Sequence, residues 1–194
     1  MRKMIISLFV AFVAFATTFA QTESEHLTFK GVPIDGTLDE YVAKMKQAGF
    51  TYLTEQDGIA VLEGDFAGYK GCTVSVSTLK ATNVVNTIGV MFTNHDDWAS
   101  LEKDYNNLKT MLTEKYGAPS ECVEKFQGFS APESNSQKMI CLRLNNCTWN
   151  TVFSTSKGRI ELSITGADFS YYVMLRYFDK INTDTVRAKA IDDL

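Results

Sequence analysis

Between Asn94 and Tyr116 the apolar residues Trp98, Leu101, Tyr105, Leu108, Leu112 and Tyr116 recur at steps of three and four. That spacing predicts one face of an α-helix. Asn94 is expected to cap its first turn, with Asp96 and Asp97 near the positive end of the helix dipole. Gly117 and Pro119 end it. A shorter helix is predicted within Asp35–Phe50, where Leu38, Tyr41, Val42, Met45 and Ala48 share a face. Thr37 and Glu40 fit a capping box there, and Gly49 closes it.

Around these helices the period changes from 3.6 to 2. Cys72, Val74 and Val76 alternate with Thr73, Ser75 and Ser77. Ile88, Val90 and Phe92 share a side, as do Ile160, Leu162 and Ile164, and Tyr171, Val173, Leu175 and Tyr177. Further strands are expected at Leu27–Ile34, Thr51–Thr54, Gly58–Phe66, Glu121–Phe126, Lys138–Leu144 and Cys147–Thr155. Gln127–Gln137 reads as a loop, and Thr183–Leu194 as a weak helix in which Val186, Ala190 and Ile191 can touch the body.

The order strand, helix, then three or four antiparallel strands occurs twice. Helices on one face of hairpin-linked strands predict an α+β two-layer sandwich. Two tandem units, 27–93 and 94–194, are expected to form one continuous sheet and one structural domain.

Residues 1–20 do not belong to that domain. Arg2 and Lys3 precede the apolar run Met4–Ala16, and Thr18 and Ala20 are small residues where a signal peptidase reads. Cleavage is expected before Gln21, leaving a flexible arm over residues 21–26 and a periplasmic or secreted protein. The apolar run is short of the roughly 20 residues a membrane span requires. Removal of Arg2 and Lys3 leaves 17 basic against 23 acidic side chains, hence a net charge of −6. That balance argues against nucleic acid or an anionic membrane as partner. A hydrophobic content of 45% is ample for a packed core.

FKGVPIDGTLDEYVAKMKQAGF, WASLEKDYNNLKTMLTEKYGAP and GRIELSITGADFSYYVMLRYFDKIN resemble segments of a group of small exported proteins of Gram-negative gut bacteria. The arrangement also resembles the β-lactamase-inhibitor-protein-like fold, in which two α/β units form one sheet. A related single unit builds the outer-membrane assembly lipoprotein of the SmpA/OmlA type. The likeness spans most of Leu27–Asn182 and is one of order, without a specific motif. It implies helices on one sheet face and the other face left for a protein partner. The lipid-attachment cysteine of the SmpA/OmlA type has no counterpart here.

Few residues suggest catalysis. The two histidines are His26, in the arm, and His95, beside Asp96 and Asp97. Consecutive helical residues point about 100° apart, so a helix-capping cluster accounts for His95–Asp97 better than a metal site. There is no glycine-rich phosphate loop and no dinucleotide fingerprint. Glu63 and Asp65 are the carboxylate pair a hydrolase would need, although paired acids on a strand are usually solvated. Cys72, Cys122, Cys141 and Cys147 form no CxxC motif, and free, buried thiols are expected.

Alternation places a second set of residues on the sheet face away from the helices. Arg159 and Glu161 should lie there on one strand, and Tyr172, Met174, Arg176 and Phe178 on the next. Tyr, Met and Arg are enriched at protein interfaces. The leading expectation is therefore a monomeric, exported, non-enzymatic binding protein without metal or cofactor. It would dock a protein partner, in the envelope or outside the cell, on this open face. The alternatives are a small-ligand carrier with a cavity lined by Trp98, Tyr105 and Trp149, or a carboxylate-based hydrolase.

Overall fold

The computed structural model describes residues 24–79, 82–128, 132–167 and 169–192. The expected leader, its cleavage point and the start of the arm lie outside the described residues. The chain first forms a small hairpin of β1 (Thr28–Phe29) and β2 (Val32–Pro33). One strand was expected over Leu27–Ile34, but Lys30 and Gly31 adopt φ of 51° and 78° and reverse the chain.

The first helix, α1 (Leu38–Gln47), starts at the expected capping box. The Glu40 amide donates to Thr37 Oγ1 at 3.4 Å, and the Thr37 amide donates to Glu40 Oε2 at 3.1 Å. A meander follows: β3 (Thr51–Gln56), β4 (Ile59–Phe66), β5 (Tyr69–Leu79) and β6 (Val84–Met91). The long helix α2 (Trp98–Tyr116) is capped by Asp97 rather than Asn94. Asp97 Oδ1 accepts from the Ser100 amide at 2.9 Å, three residues on, where an N-cap acceptor reaches.

The second meander contains β7 (Glu121–Phe126), β8 (Cys147–Ser154), β9 (Gly158–Ala167) and β10 (Ser170–Asp179). Between β7 and β8 lies a third helix, α3 (Asn135–Arg143), where a strand was expected over Lys138–Leu144. The Ser134 hydroxyl accepts from the Gln137 amide, and the Gln137 side chain accepts from the Ser134 amide. That capping box starts a helix whose inward contacts are Met139 and Leu142, one turn apart. The last helix, α4 (Lys180–Asp192), begins directly after β10.

The eight long strands form one antiparallel sheet in the order β3-β4-β5-β6-β10-β9-β8-β7. Two four-stranded meanders thus share a sheet through the β6–β10 pairing, and the two-layer α+β architecture with two helix-plus-strand units holds. Helix α1 packs on β3 to β6, and α2 on β8 to β10. Their inward residues, Tyr41, Met45, Trp98, Leu101, Tyr105 and Leu108, are buried against Leu62, Val76, Ile88, Leu162, Leu175 and their neighbours. Trp98 meets Trp149 edge-on with ring centroids 4.7 Å apart, and Phe126 lies against both. No helix among the described residues is long and apolar enough to cross a membrane.

Both ends of the domain converge on Asp179, a fully buried carboxylate. It accepts from the Leu27 amide at 2.9 Å and the Asn182 amide at 3.1 Å, and lies 3.1 Å from His26 Nδ1. The end of the expected arm is therefore tied down, because a buried carboxylate requires several donors. Asn182 Nδ2 also donates to the carbonyls of Ile34 and Val85. That amide anchors α4, whereas Ala190 and Ile191 are exposed rather than packed on the body.

Under α2, the Tyr105 hydroxyl is hydrogen-bonded to the buried Thr151 hydroxyl. Tyr105→Phe should lower stability by about 1–2 kcal/mol in urea denaturation, because Thr151 loses that partner in the interior. Adding Thr151→Val should cost less than the two single changes summed, since neither buried hydroxyl then remains. Simple additivity would show that the bond contributes nothing measurable.

Candidate functional site: the open sheet face

Strand pairing assembles this site. On β10, burial alternates strictly, with Tyr171, Val173, Leu175 and Tyr177 under the helices and Tyr172, Met174, Arg176 and Phe178 on the opposite face. On β9, Arg159 and Glu161 share that open face, while Ile160 and Leu162 are buried. Register places Arg176 opposite Glu161 and Phe178 opposite Arg159. All six residues expected on this face are on it.

Four of the six form one cluster. Arg176 Nη2 is 3.1 Å from Glu161 Oε2, and Arg159 Nη2 is 3.0 Å from Glu161 Oε1. One carboxylate therefore holds two guanidiniums, one on each oxygen. The guanidinium carbons lie 4.9 Å (Arg159) and 5.7 Å (Arg176) from the Phe178 ring centroid, within cation–π range. Glu161 is only 12% exposed, whereas the Arg159 and Arg176 side chains are 54% and 40% exposed. The acid is the fixed centre, and the guanidiniums keep donors available to solvent. Tyr172 and Met174 lie farther along β10, opposite Thr165 and Ser163. At 3.4 Å per residue Tyr172 is about 20 Å from Phe178, so it sits at the far end of the face.

Across the seam, Gly89 on β6 stands opposite both Arg176 and Ser75. A Cβ there would come within 2.6 Å of Ser75 Oγ and 3.2 Å of Met174 Cε. A glycine inside an alternating strand signals such a close approach. It was the one sequence signal for this part of the face that alternation alone did not use.

Beyond Phe178 the face descends into a cleft of about 550 Å³. Its floor is the row Thr87, Phe178, Arg159 and Ser154 from four neighbouring strands. Its walls are the β8–β9 turn at Thr155 and Gly158 and the start of α4 at Lys180, Thr183 and Asp184. The cleft was missed because its walls come from a turn and a helix start that no periodicity aligns with the strands.

The other expected chemistry resolves differently. His95 Nε2 is 2.7 Å from Asp104 Oδ2, and the Tyr69 hydroxyl donates to Asp104 Oδ1 at 3.2 Å. His95 thus ties the α2 approach to α2 itself, while Asp97 caps the helix. Among the described residues no three His, Cys, Asp or Glu side chains converge as a metal site would require. Hydrogen bonds from Lys70 and from the Gly71 amide hold the Asp65 carboxyl below its usual range, which suits an anion and not a general acid. Trp98, Tyr105 and Trp149 are buried between α2 and the sheet, with Trp98 edge-on to Trp149. The small cavity of about 120 Å³ under α2 is lined by other residues, among them Leu108, Leu112, Leu175 and Tyr177.

All four thiols are free. Cys72 is buried as expected, but Cys122 is exposed on the edge strand β7, and Cys141 and Cys147 are half-buried. Cys122 stands opposite Thr151 and Cys147 opposite Phe126, four residues apart along the β7–β8 pair. Comparison with family models, with curated proteins and with solved structures finds no match.

A double-mutant cycle on Arg176→Ala and Glu161→Ala, read by urea denaturation, should give a coupling of about 0.5–1 kcal/mol, the range of a part-exposed ion pair. Coupling indistinguishable from zero would mean that Glu161 does not hold Arg176 in solution. The thiols provide a second check. Burial, then neighbouring Cys141, push the Cys147 thiol up to about 11, and burial raises Cys72. Fewer thiolates form at pH 8 when the pKa is higher, so both should react with a disulfide reagent well after exposed Cys122. Mass-mapped labelling that finds Cys147 first would contradict this order.

Proposed function

We propose that this protein is a non-catalytic binding module that docks another protein on its open sheet face, with Tyr172, Arg176 and Phe178 as anchors. One observation carries the reading: the Arg159–Glu161–Arg176–Phe178 cluster on a face that α1 and α2 leave uncovered. Two guanidiniums steered by one carboxylate and backed by an aromatic ring are pre-positioned donors on rigid central strands. Interface hot spots favour Arg and aromatic residues for this reason: little side-chain freedom remains to be lost on binding. Tyr172 and Met174 extend the same face away from the cluster and enlarge the contact.

The expected signal peptide and acidic balance support a setting in the envelope or outside the cell, with a protein rather than nucleic acid as partner. The resemblance to two-unit β-lactamase-inhibitor-protein-like folds is consistent with use of the uncovered face. The carrier alternative would need room among Trp98, Tyr105 and Trp149, and all three are buried, with the two indole rings in edge-to-face contact. The hydrolase alternative would need a carboxylate poised as an acid near Glu63, and Asp65 is held ionised.

A pull-down from native envelope and culture medium tests the proposal, comparing wild type with Tyr172→Ala/Arg176→Ala after both are shown to melt cooperatively at similar temperature. A partner retained by the wild type should be lost by the double variant, a fall of at least about tenfold in recovery for two hot-spot truncations. Equal recovery by both proteins would move the site off this face.

A further inference from the structure

The cleft at the α4 end of the open face has a chemistry of its own. Arg159, on its floor, keeps half of its side chain in solvent even though Glu161 holds one of its nitrogens. Lys180, on its wall, is exposed and makes no ion pair with any described residue. Asp179 also contributes to the lining, but its carboxylate is already taken up by the Leu27 and Asn182 amides and His26. Asp184 is the remaining acid, one turn along α4 from Lys180. Glu161 and Arg176, just beyond the floor, neutralise each other. To solvent the cleft thus presents two cations, Arg159 and Lys180, against one acid, Asp184, because the Asp179 carboxylate is fully buried. Between these groups lies the Phe178 ring, an apolar surface with guanidinium carbons 4.9 and 5.7 Å from its centroid.

We infer that this cleft takes an acidic peptide segment of the docked partner. A carboxylate side chain would meet Arg159 and Lys180, and an adjacent aliphatic or aromatic side chain would lie on Phe178. The inference rests on the docking reading above and names the chemistry of the bound segment. Three features favour a peptide. The cleft is open to the same face as the proposed anchors. Its volume is that of a few side chains and falls within the range of ligand sites. Its polar groups are spread over hydroxyls and charges from four strands and a helix, which suits an extended chain with several weak contacts better than one compact ion. Paired cations beside an aromatic floor recognise acidic motifs by charge-assisted hydrogen bonds together with apolar contact.

The test is selection of a random peptide library displayed on phage against the mature protein, with the selected peptides then measured by fluorescence anisotropy. Sequences enriched in Asp or Glu beside an apolar residue are expected. Their affinity should fall by about fivefold or more with Lys180→Glu, and fall again with added salt. Lys180→Gln, which removes the charge without reversing it, should give a smaller loss in the same direction and serves if the reversed variant melts early. Selected sequences without acidic enrichment, no selected sequence at all, or acidic peptides indifferent to Lys180 would each overturn the inference. Tyr172→Ala/Arg176→Ala separates the two proposals. Peptides lost with that variant but indifferent to Lys180→Glu leave the docking face standing and remove the acidic anchor. Peptides indifferent to both remove the acidic anchor and argue against the face.

Discussion

Everything on both faces of this protein depends on the antiparallel seam between β6 and β10. Five residue pairs, from Met91–Met174 to Thr87–Phe178, join two four-stranded meanders that would otherwise each expose an edge. The seam is buried on the helix side by Ile88, Val90, Leu175 and Tyr177, so its register is specified by apolar contact. A one-residue slip would turn Tyr177 to water and drive Phe178 and Arg176 into the core. The same register that seats the core therefore sets which side chains face outward at the centre of the sheet.

The seam also explains why the open face has its relief. Gly89 removes side-chain bulk opposite Arg176 and Ser75, so Met174 can lie across the β6 backbone. At the far end β10 runs directly into α4, and Asp179 at that junction gathers the Leu27 amide, the Asn182 amide and His26. The chain's first described strand and its last helix are thereby held at the place where Phe178 and Lys180 border the cleft. A buried carboxylate with fewer donors would be costly there, which makes this junction a rigid corner and not a fraying terminus.

How much of this was legible in sequence follows from which physical signal each part uses. The open face was readable because period-2 alternation on β9 and β10 assigns sides independently of the partner strand, and Arg159, Glu161, Tyr172, Met174, Arg176 and Phe178 all fell where alternation put them. Helix α1 was readable because Thr37 and Glu40 state its start. Helix α3 carries an equally plain Ser134–Gln137 box, but Met139–Leu142 is an apolar run too short for periodicity to separate helix from strand. The cap was the better guide. The cleft was illegible for a different reason. Its floor depends on the pairing of β6 with β10, strands separated by the whole of α2, α3 and three further strands. No local pattern encodes that neighbourhood.

The electrostatics of the two faces then separate their roles. Under the helices the polar groups are sealed from solvent, whether paired as Tyr105 with Thr151 or unpaired as the Tyr41 hydroxyl and Trp98 Nε1, and so are out of a partner's reach. On the open face Glu161 is the better shielded member of each of its pairs, and the guanidiniums around it remain part-exposed. An acid buried beneath two cations orients them without exhausting them: Arg159 and Arg176 each contact Glu161 through Nη2. A partner carboxylate approaching this surface would meet donors already aligned and already partly desolvated by Phe178. It would have to compete with Glu161 for only part of each guanidinium. That asymmetry distinguishes an ion-pair network that presents charge from one that merely cancels it. It makes the β9–β10 strip, and not the helix layer, the surface on which the proposed recognition rests.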